Sequence, residues 1–169
     1  MDEHIRRENL HDLDGVMATF GNDARYDDEP WQDRRRGRDA VRTYYSELVD
    51  ALPDLAIDVE RQHVAAASVV VEVVIRGTHL GTWRGLPATG RRLQFPLCGI
   101  FTFDSDDRIA AERIYYDRTA VLRQLGLFHD PSGGIGRAVL VLTHPVTLAR
   151  ALLRGTSRNR ASPGDRRAP

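Results

Sequence analysis

The chain has 169 residues, zero formal net charge and 41 % apolar residues, which suits one domain with a sufficient core plus an extension. All 24 basic residues are arginine, so neither a lysine Schiff base nor a Walker-type phosphate loop is available, and the single cysteine, Cys98, excludes an internal disulfide and a multi-cysteine zinc site. From Arg137 onward seven arginines face one acid, Asp165, which leaves the tail at +6 and the body at −6, an acidic surface that argues against nucleic acid as a partner.

The N-terminus has no apolar signal core, and no stretch approaches the ~20 apolar residues of a membrane span. The default expectation is a soluble cytoplasmic protein. The arginine bias suggests a GC-rich bacterial genome.

In chain order, Ile5, Leu10, Leu13, Val16, Met17 and Phe20 recur at helical spacing and predict a helix over 3–20, stopped by Gly21-Asn22-Asp23. Residues 24–31 are short, aromatic and acidic, with Pro30 ending any strand. Val41, Tyr44, Tyr45, Leu48, Val49 and Leu52 form one stripe of a second helix over 37–52, closed by Pro53. From Leu55 the period changes to two. Strands are predicted from Leu55, over 69–79, over 93–103 (with Pro96 marking an edge or bulge) and over 108–117. A short helix over 118–127 follows, closed by Gly126. The order implies an α+β fold in which one curved antiparallel sheet, built from 55–117, carries the two long helices on its concave side.

Residues 1–130 form the predicted domain. Residues 131–169 form an extension, with a glycine linker at 132–136, apolar segments at 138–142 and 146–153, and a Ser/Arg/Pro-rich end. Arg150, Arg154 and Arg158 make a basic stripe at helical spacing. Contact with a membrane or acidic surface is one reading of it. Packing on the protein's own sheet or on a dimer mate is favoured.

Three stretches carry a resemblance: P-D-L at 53–55, G-T-H-L-G-T-W-R-G-L-P-A-T-G-R-R at 77–92, and Y-Y-D-R-T-A-V-L-R-Q-L-G at 115–126. Over residues 5–127 the chain resembles the SnoaL-like polyketide cyclases, or ester cyclases, of the NTF2-like superfamily. The resemblance implies a cone with an apolar pocket, a small apolar or polyketide-like substrate, no cofactor, and a homodimer formed through the open sheet face. It also implies that Asp117, just before the last short helix, is the catalytic acid/base. Arginine at 113 is a departure, since the family often has tryptophan there.

The residues themselves bear two readings of Asp117. Strand alternation places Ile109, Ala111, Arg113, Tyr115 and Asp117 on one face, and Ala110, Glu112, Ile114 and Tyr116 on the other. A carboxylate in an apolar pocket gains a raised pKa suited to proton transfer. Directly before a helix, the same Asp is also a favoured N-cap. His79, at a strand end beside the Gly-rich loop, either orients Asp117 or bonds backbone. Arg113 either stabilises an enolate oxygen or pairs at the rim. Tyr115, Trp83 and Tyr26 are candidate substrate contacts, with Trp83, Leu86 and Pro87 forming an apolar lid. Asp27 and Asp28 read as caps of the following turn. The other histidines show no metal-ligand spacing, so no metal is expected.

The expected function is an intramolecular aldol-type ring closure by acid/base chemistry. The alternatives are a non-catalytic small-molecule binder of the same fold and a ketosteroid-isomerase-like enzyme. Epoxide hydrolysis ranks low, because the strand at 93–103 carries no charge.

Overall fold

The computed structural model describes residues 1–130, 132–148 and 150, which fall into two units, Met1–Leu127 and the chain from Phe128 onward. The first unit opens with two helices where the periodicity predicts one: α1 (Asp2–Asn9) and α2 (Leu13–Thr19). The break is at His11, whose φ is 54°. Asp12 caps the new start, accepting from the Gly15 amide at 2.9 Å and from Arg7 at 2.6 Å. The turn leaves Leu10 61 % exposed while Ile5, Val16, Met17 and Phe20 are buried, so the apolar pattern alone does not reveal the break.

Phe20 begins a strand, β1 (Phe20–Asp28), whose irregular start occupies the Gly-Asn-Asp segment read as a helix stop. A single 3-10 turn (Glu29–Trp31) containing Pro30 leads to β2 (Asp33–Arg36) and then to α3 (Arg38–Ala51). Four long strands follow: β3 (Ala56–Ala65), β4 (Ser68–Thr78), β5 (Arg92–Phe103) and β6 (Ile109–Tyr115), closed by α4 (Arg118–Gln124). In the second unit α5 (Gly134–Thr143) starts inside the glycine linker. Half of the predicted 146–153 segment, the Arg154 and Arg158 part of the stripe, and the terminal tail lie outside the described residues.

The six strands form one curved, unclosed sheet in the order β2-β1-β6-β5-β4-β3. This is the α+β, NTF2-like architecture, with a correction. The sheet is not confined to 55–117, and β1 runs parallel to β6. That pairing joins residues more than eighty positions apart, and no local pattern in the charged β1 signals it.

Pro96 shows how the edge is managed. β6 ends opposite Cys98, so β5 beyond it lacks that neighbour. The Gln124 side chain of α4 takes over, accepting from Gln94 N at 2.8 Å and donating to Gln94 O at 2.9 Å. Pro96, two residues on, would point an N–H to the same vacant side, so its missing donor costs nothing.

The loop after β4 leans on the end of α3. Leu80 N and Gly81 N both donate to Ala51 O, at 3.0 and 3.2 Å. A Cβ at Gly81 would overlap the Asp50 carbonyl, so only glycine permits this approach. Asp54 fastens the same corner by accepting from Thr78 N and Oγ1 at 2.5 and 2.7 Å.

Candidate functional site

Between the concave sheet face and the helices lies an apolar cavity of about 60 Å³. Val71, Val73 and Ile75 of β4 and Phe95, Leu97 and Phe101 of β5 supply its floor, with Leu48 and Leu52 of α3 and Trp83 from the loop above. Its carboxylates are Glu8 and Glu112, and its hydroxyls belong to Tyr26, Tyr44 and Tyr116.

Cross-strand pairing decides which face of β6 looks inward. Glu112 pairs with Phe101 and Ile114 with Gly99, so these residues share the cavity face. Arg113 pairs with Ile100 and Tyr115 with Cys98, on the outer face. Alternation alone had grouped Ile109 with Arg113. A register shift near Phe103 reverses the parity, so Ile109 is buried while Arg113 and Tyr115 are exposed.

The residues singled out from the sequence are therefore dispersed. Asp117 is exposed and caps α4, accepting from Thr119 N at 2.8 Å and Ala120 N at 3.1 Å; it is not among the cavity-lining residues. Arg113 bridges Asp27 at 3.3 Å and Glu29 at 3.4 Å, outside the cavity. His79 is fully buried behind Trp83, ring to ring at 6.3 Å. The Thr89 amide donates to its Nδ1 at 3.3 Å, so the proton sits on Nε2, and burial lowers its pKa. Tyr26 and Trp83 do line the cavity.

Two polar clusters flank the cavity. Asp28, with no exposed surface, accepts from Trp31 N at 3.3 Å, Tyr44 Oη at 3.2 Å, Tyr116 Oη at 3.5 Å and Arg84 Nη2 at 2.6 Å. Burial raises its pKa, against the pull of Arg84. Arg84 also binds Asp33 and lies over the Tyr44 and Trp31 rings, at 5.2 and 5.8 Å. The turn-capping role expected of this acidic segment is present at Asp28, which also anchors the loop.

The second cluster joins α1, α3 and β6. Tyr45 Oη donates to Glu112 Oε2 at 2.6 Å. His4 Nε2 lies 3.2 Å from Tyr45 Oη, 3.5 Å from Glu112 and 3.6 Å from Glu8. His4 Nδ1 meets Thr19 Oγ1 at 2.7 Å. Thr19 gives its own proton to Val16 O at 2.7 Å, so Nδ1 must be a donor. On the other side, Tyr45 has spent its one proton on Glu112, so Nε2 faces three acceptors. The Tyr45, Glu112 and Glu8 oxygens around Nε2 therefore favour a proton there. Burial alone would lower the His4 pKa, but Glu8 and Glu112 outweigh it and raise it. Burial, reinforced by Glu112, pushes Glu8 up to about 7. Burial also raises the pKa values of Tyr26, Tyr44 and Tyr45, keeping them protonated.

The nitrogen and carboxylate atoms of His4, Glu8 and Glu112 lie within 4.8 Å of one another, close enough to surround a cation. Histidine spacing gave no sign of this grouping, because β6 lies more than a hundred residues beyond α1. The hydrogen bonds from Tyr45 and to Thr19 favour reading it as a proton-sharing cluster. Its sequence signal was faint: a His and a Glu at i and i+4 beside Ile5 on the inner face of α1.

The profile of the SnoaL-like polyketide cyclases matches residues 2–125, and the chain belongs to this family. Among solved structures, it is similar to a protein described as a SnoaL-like polyketide cyclase from Jannaschia sp. CCS1, with 21 % identity, TM-score 0.67, and coverage of 76 % of this chain and 92 % of that one. TsrD from Streptomyces laurentii gives 23 % identity, TM-score 0.67 and the same coverages. The epoxide hydrolase/cyclase-like enzyme SalBIII, described in pyran ring formation in the polyether salinomycin, gives 24 % identity, TM-score 0.60, and coverage of 70 % and 88 %. No curated protein matches the chain. Among the described residues no helix is long and apolar enough to cross a membrane.

Proposed function

We propose that this protein closes a ring on a small polyketide-like substrate by cofactor-independent acid/base chemistry, with Glu112 as the proton-transfer residue. The supporting observation is the proton-sharing cluster of Glu112, His4 and Glu8 at the wall of an otherwise apolar cavity. Glu112 removes a proton α to a carbonyl. The enolate attacks a second carbonyl of the same molecule, and the resulting alkoxide takes a proton back from the cluster. The Tyr44 and Tyr116 hydroxyls are given to Asp28, so in this reading Tyr26 is the cavity hydroxyl that faces a carbonyl oxygen. Asp117 was the residue indicated by family resemblance. Glu112 is preferred because it faces the cavity, whereas Asp117 is engaged in capping α4.

Ligand sites for drug-sized molecules span roughly 300–1,000 Å³. A cavity of about 60 Å³ therefore admits such a substrate only if its wall moves. The movable wall in this reading is the loop carrying Trp83.

The test is α-proton exchange in D₂O on a 1,3-dicarbonyl ester, followed by NMR. Wild type should accelerate exchange, and Glu112→Gln should lose ~10²–10⁴-fold of that acceleration. Equal exchange in both proteins would remove Glu112 from the mechanism. The isomerase-like alternative uses the same carboxylate and Tyr26, and differs only in yielding a proton-shifted product without ring closure. Tight binding of the ester with no exchange at all would favour the non-catalytic alternative.

A further inference from the structure

His4 is placed between two spaces. On one side its Nε2 faces Glu8 and Glu112, which line the apolar cavity. On the other, His4 and Thr19 form part of a separate surface groove of about 380 Å³, bordered by Met1, Glu3, Arg7 and Arg108. The ring itself is 1 % exposed and is held edge-on by Phe20 and Phe101, at 5.4 and 5.6 Å. We infer that His4 is a positioning residue that carries protons between the cavity carboxylates and solvent in this groove, a back route that stays open when a ligand fills the cavity. This deepens the acid/base reading of Glu112 and rests on it.

The geometry supports each transfer. A protonated carboxyl of Glu112 or Glu8 gives its proton to Nε2, forming the imidazolium. The imidazolium releases its Nδ1 proton to Thr19 Oγ1, 2.7 Å away. Thr19 passes its own hydroxyl proton to groove water, breaking its bond to Val16 O. One proton has crossed, and His4 is left neutral with its hydrogen on Nε2. The reverse sequence brings a proton in through Nδ1 and returns it to the carboxylate.

The charges around the ring favour the intermediate. Glu8 from α1 and Glu112 from β6 stabilise the imidazolium, and the Tyr45 hydroxyl from α3 completes the inner side. The N-terminal ammonium opposes it. In the groove, Glu3 forms ion pairs with Arg6 and Arg7, and Arg7 also pairs with Asp12. Arg108 is tied to the Ala18 carbonyl, and Asp107 also borders the groove.

The experiment uses the full chain without substrate, so its outcome does not depend on whether Glu112 is the catalytic base. Ring nitrogens are labelled with ¹⁵N, and exchange of the His4 protons with water is measured by NMR across the His4 titration. Thr19→Val removes the hydroxyl at nearly constant shape. The expected result is a His4 imidazolium with both nitrogens protonated in wild type, and exchange about tenfold slower in Thr19→Val, equivalent to about 1.4 kcal/mol of barrier. Thr19→Ser should restore wild-type exchange. Unchanged exchange in a folded Thr19→Val protein would overturn the relay, as would a His4 ring that carries a single proton throughout. Loss of the His4 proton signals on adding zinc chloride, absent in Glu112→Gln, would also overturn it, in favour of a cation site.

Discussion

Arg84 in the loop after β4 donates to Asp28 at the end of β1 across 2.6 Å, next in the chain to Trp83, which lines the cavity. The Asp28 side chain is fully buried, and that of Arg84 is 13 % exposed. Arg84 also binds Asp33, so one side chain ties the loop to two points of the β1–β2 hairpin.

Removing Arg84 should loosen this wall. Arg84→Met leaves Asp28 buried without its cation, a change that typically costs about 3–5 kcal/mol. The expected readouts are a lower denaturation midpoint and faster amide exchange across 79–91. Adding Asp28→Asn should recover part of the stability, because the uncompensated charge is removed. A single variant with wild-type stability and unchanged loop exchange would show that the ion pair does not hold the loop.

Stability should depend on pH in a specified direction. The folded protein holds Glu8 at about 7, above its ordinary value, and His4 above its own. Both groups bind protons more tightly folded than unfolded. Their contribution is complete below the unfolded pKa values and is lost as pH rises through the folded ones. Thermal midpoints should therefore fall from about pH 5 to about pH 8, by no more than about 3 kcal/mol of stability from Glu8. Glu8→Gln should flatten this slope. Below about pH 4 the sign reverses. Asp33 and Asp54 are held below the usual carboxylate range, the first by Arg35 and Arg84 despite burial and the second by Thr78, and their protonation removes stability.

Asp117 separates capping from catalysis. Asp117→Ala should cost ~0.5–2 kcal/mol as a lost helix cap, and Asp117→Asn much less, since an amide oxygen still accepts. Under the Glu112 proposal, Asp117→Asn keeps the α-proton exchange of wild type. Collapse of exchange in that variant, with stability intact, would return the acid/base role to Asp117.

The extension should be dispensable for the fold of the first unit. A chain ending at Asp130 retains all of β1–β6 and α4. It should remain monodisperse and melt in one cooperative transition at a similar midpoint. A broad, non-cooperative melt would show that residues beyond 130 complete the core.

Much of the architecture was legible locally. The strands β3 to β6, helices α3 and α4, and the glycine-rich loop each carry a repeating apolar period or a terminating residue; burial follows that period in α3 and β4, whereas β3 stays almost wholly exposed. Pro53 and Gly126 mark ends, the first because proline cannot continue a helix and the second because it adopts a φ of 74°. The motifs within 77–92 and 115–126 were enough to indicate the family. Trp83 and Tyr26 were legible as cavity candidates because a large aromatic in a polar context needs a partner surface.

The site's composition was decided by tertiary structure. The parity of β6 depends on a register shift near Phe103 and on Phe101 lying opposite Glu112. One irregularity exchanges the inner and outer sets, sending Glu112 inward and leaving Arg113 and Tyr115 outside. The parallel β1–β6 pairing and the meeting of His4 with Glu112 likewise join distant segments. By itself the sequence determined which segments form helices and strands and where the loop turns. Which carboxylate loses its water was settled by folding, because desolvation and proton sharing depend on neighbours that the chain brings together only in three dimensions.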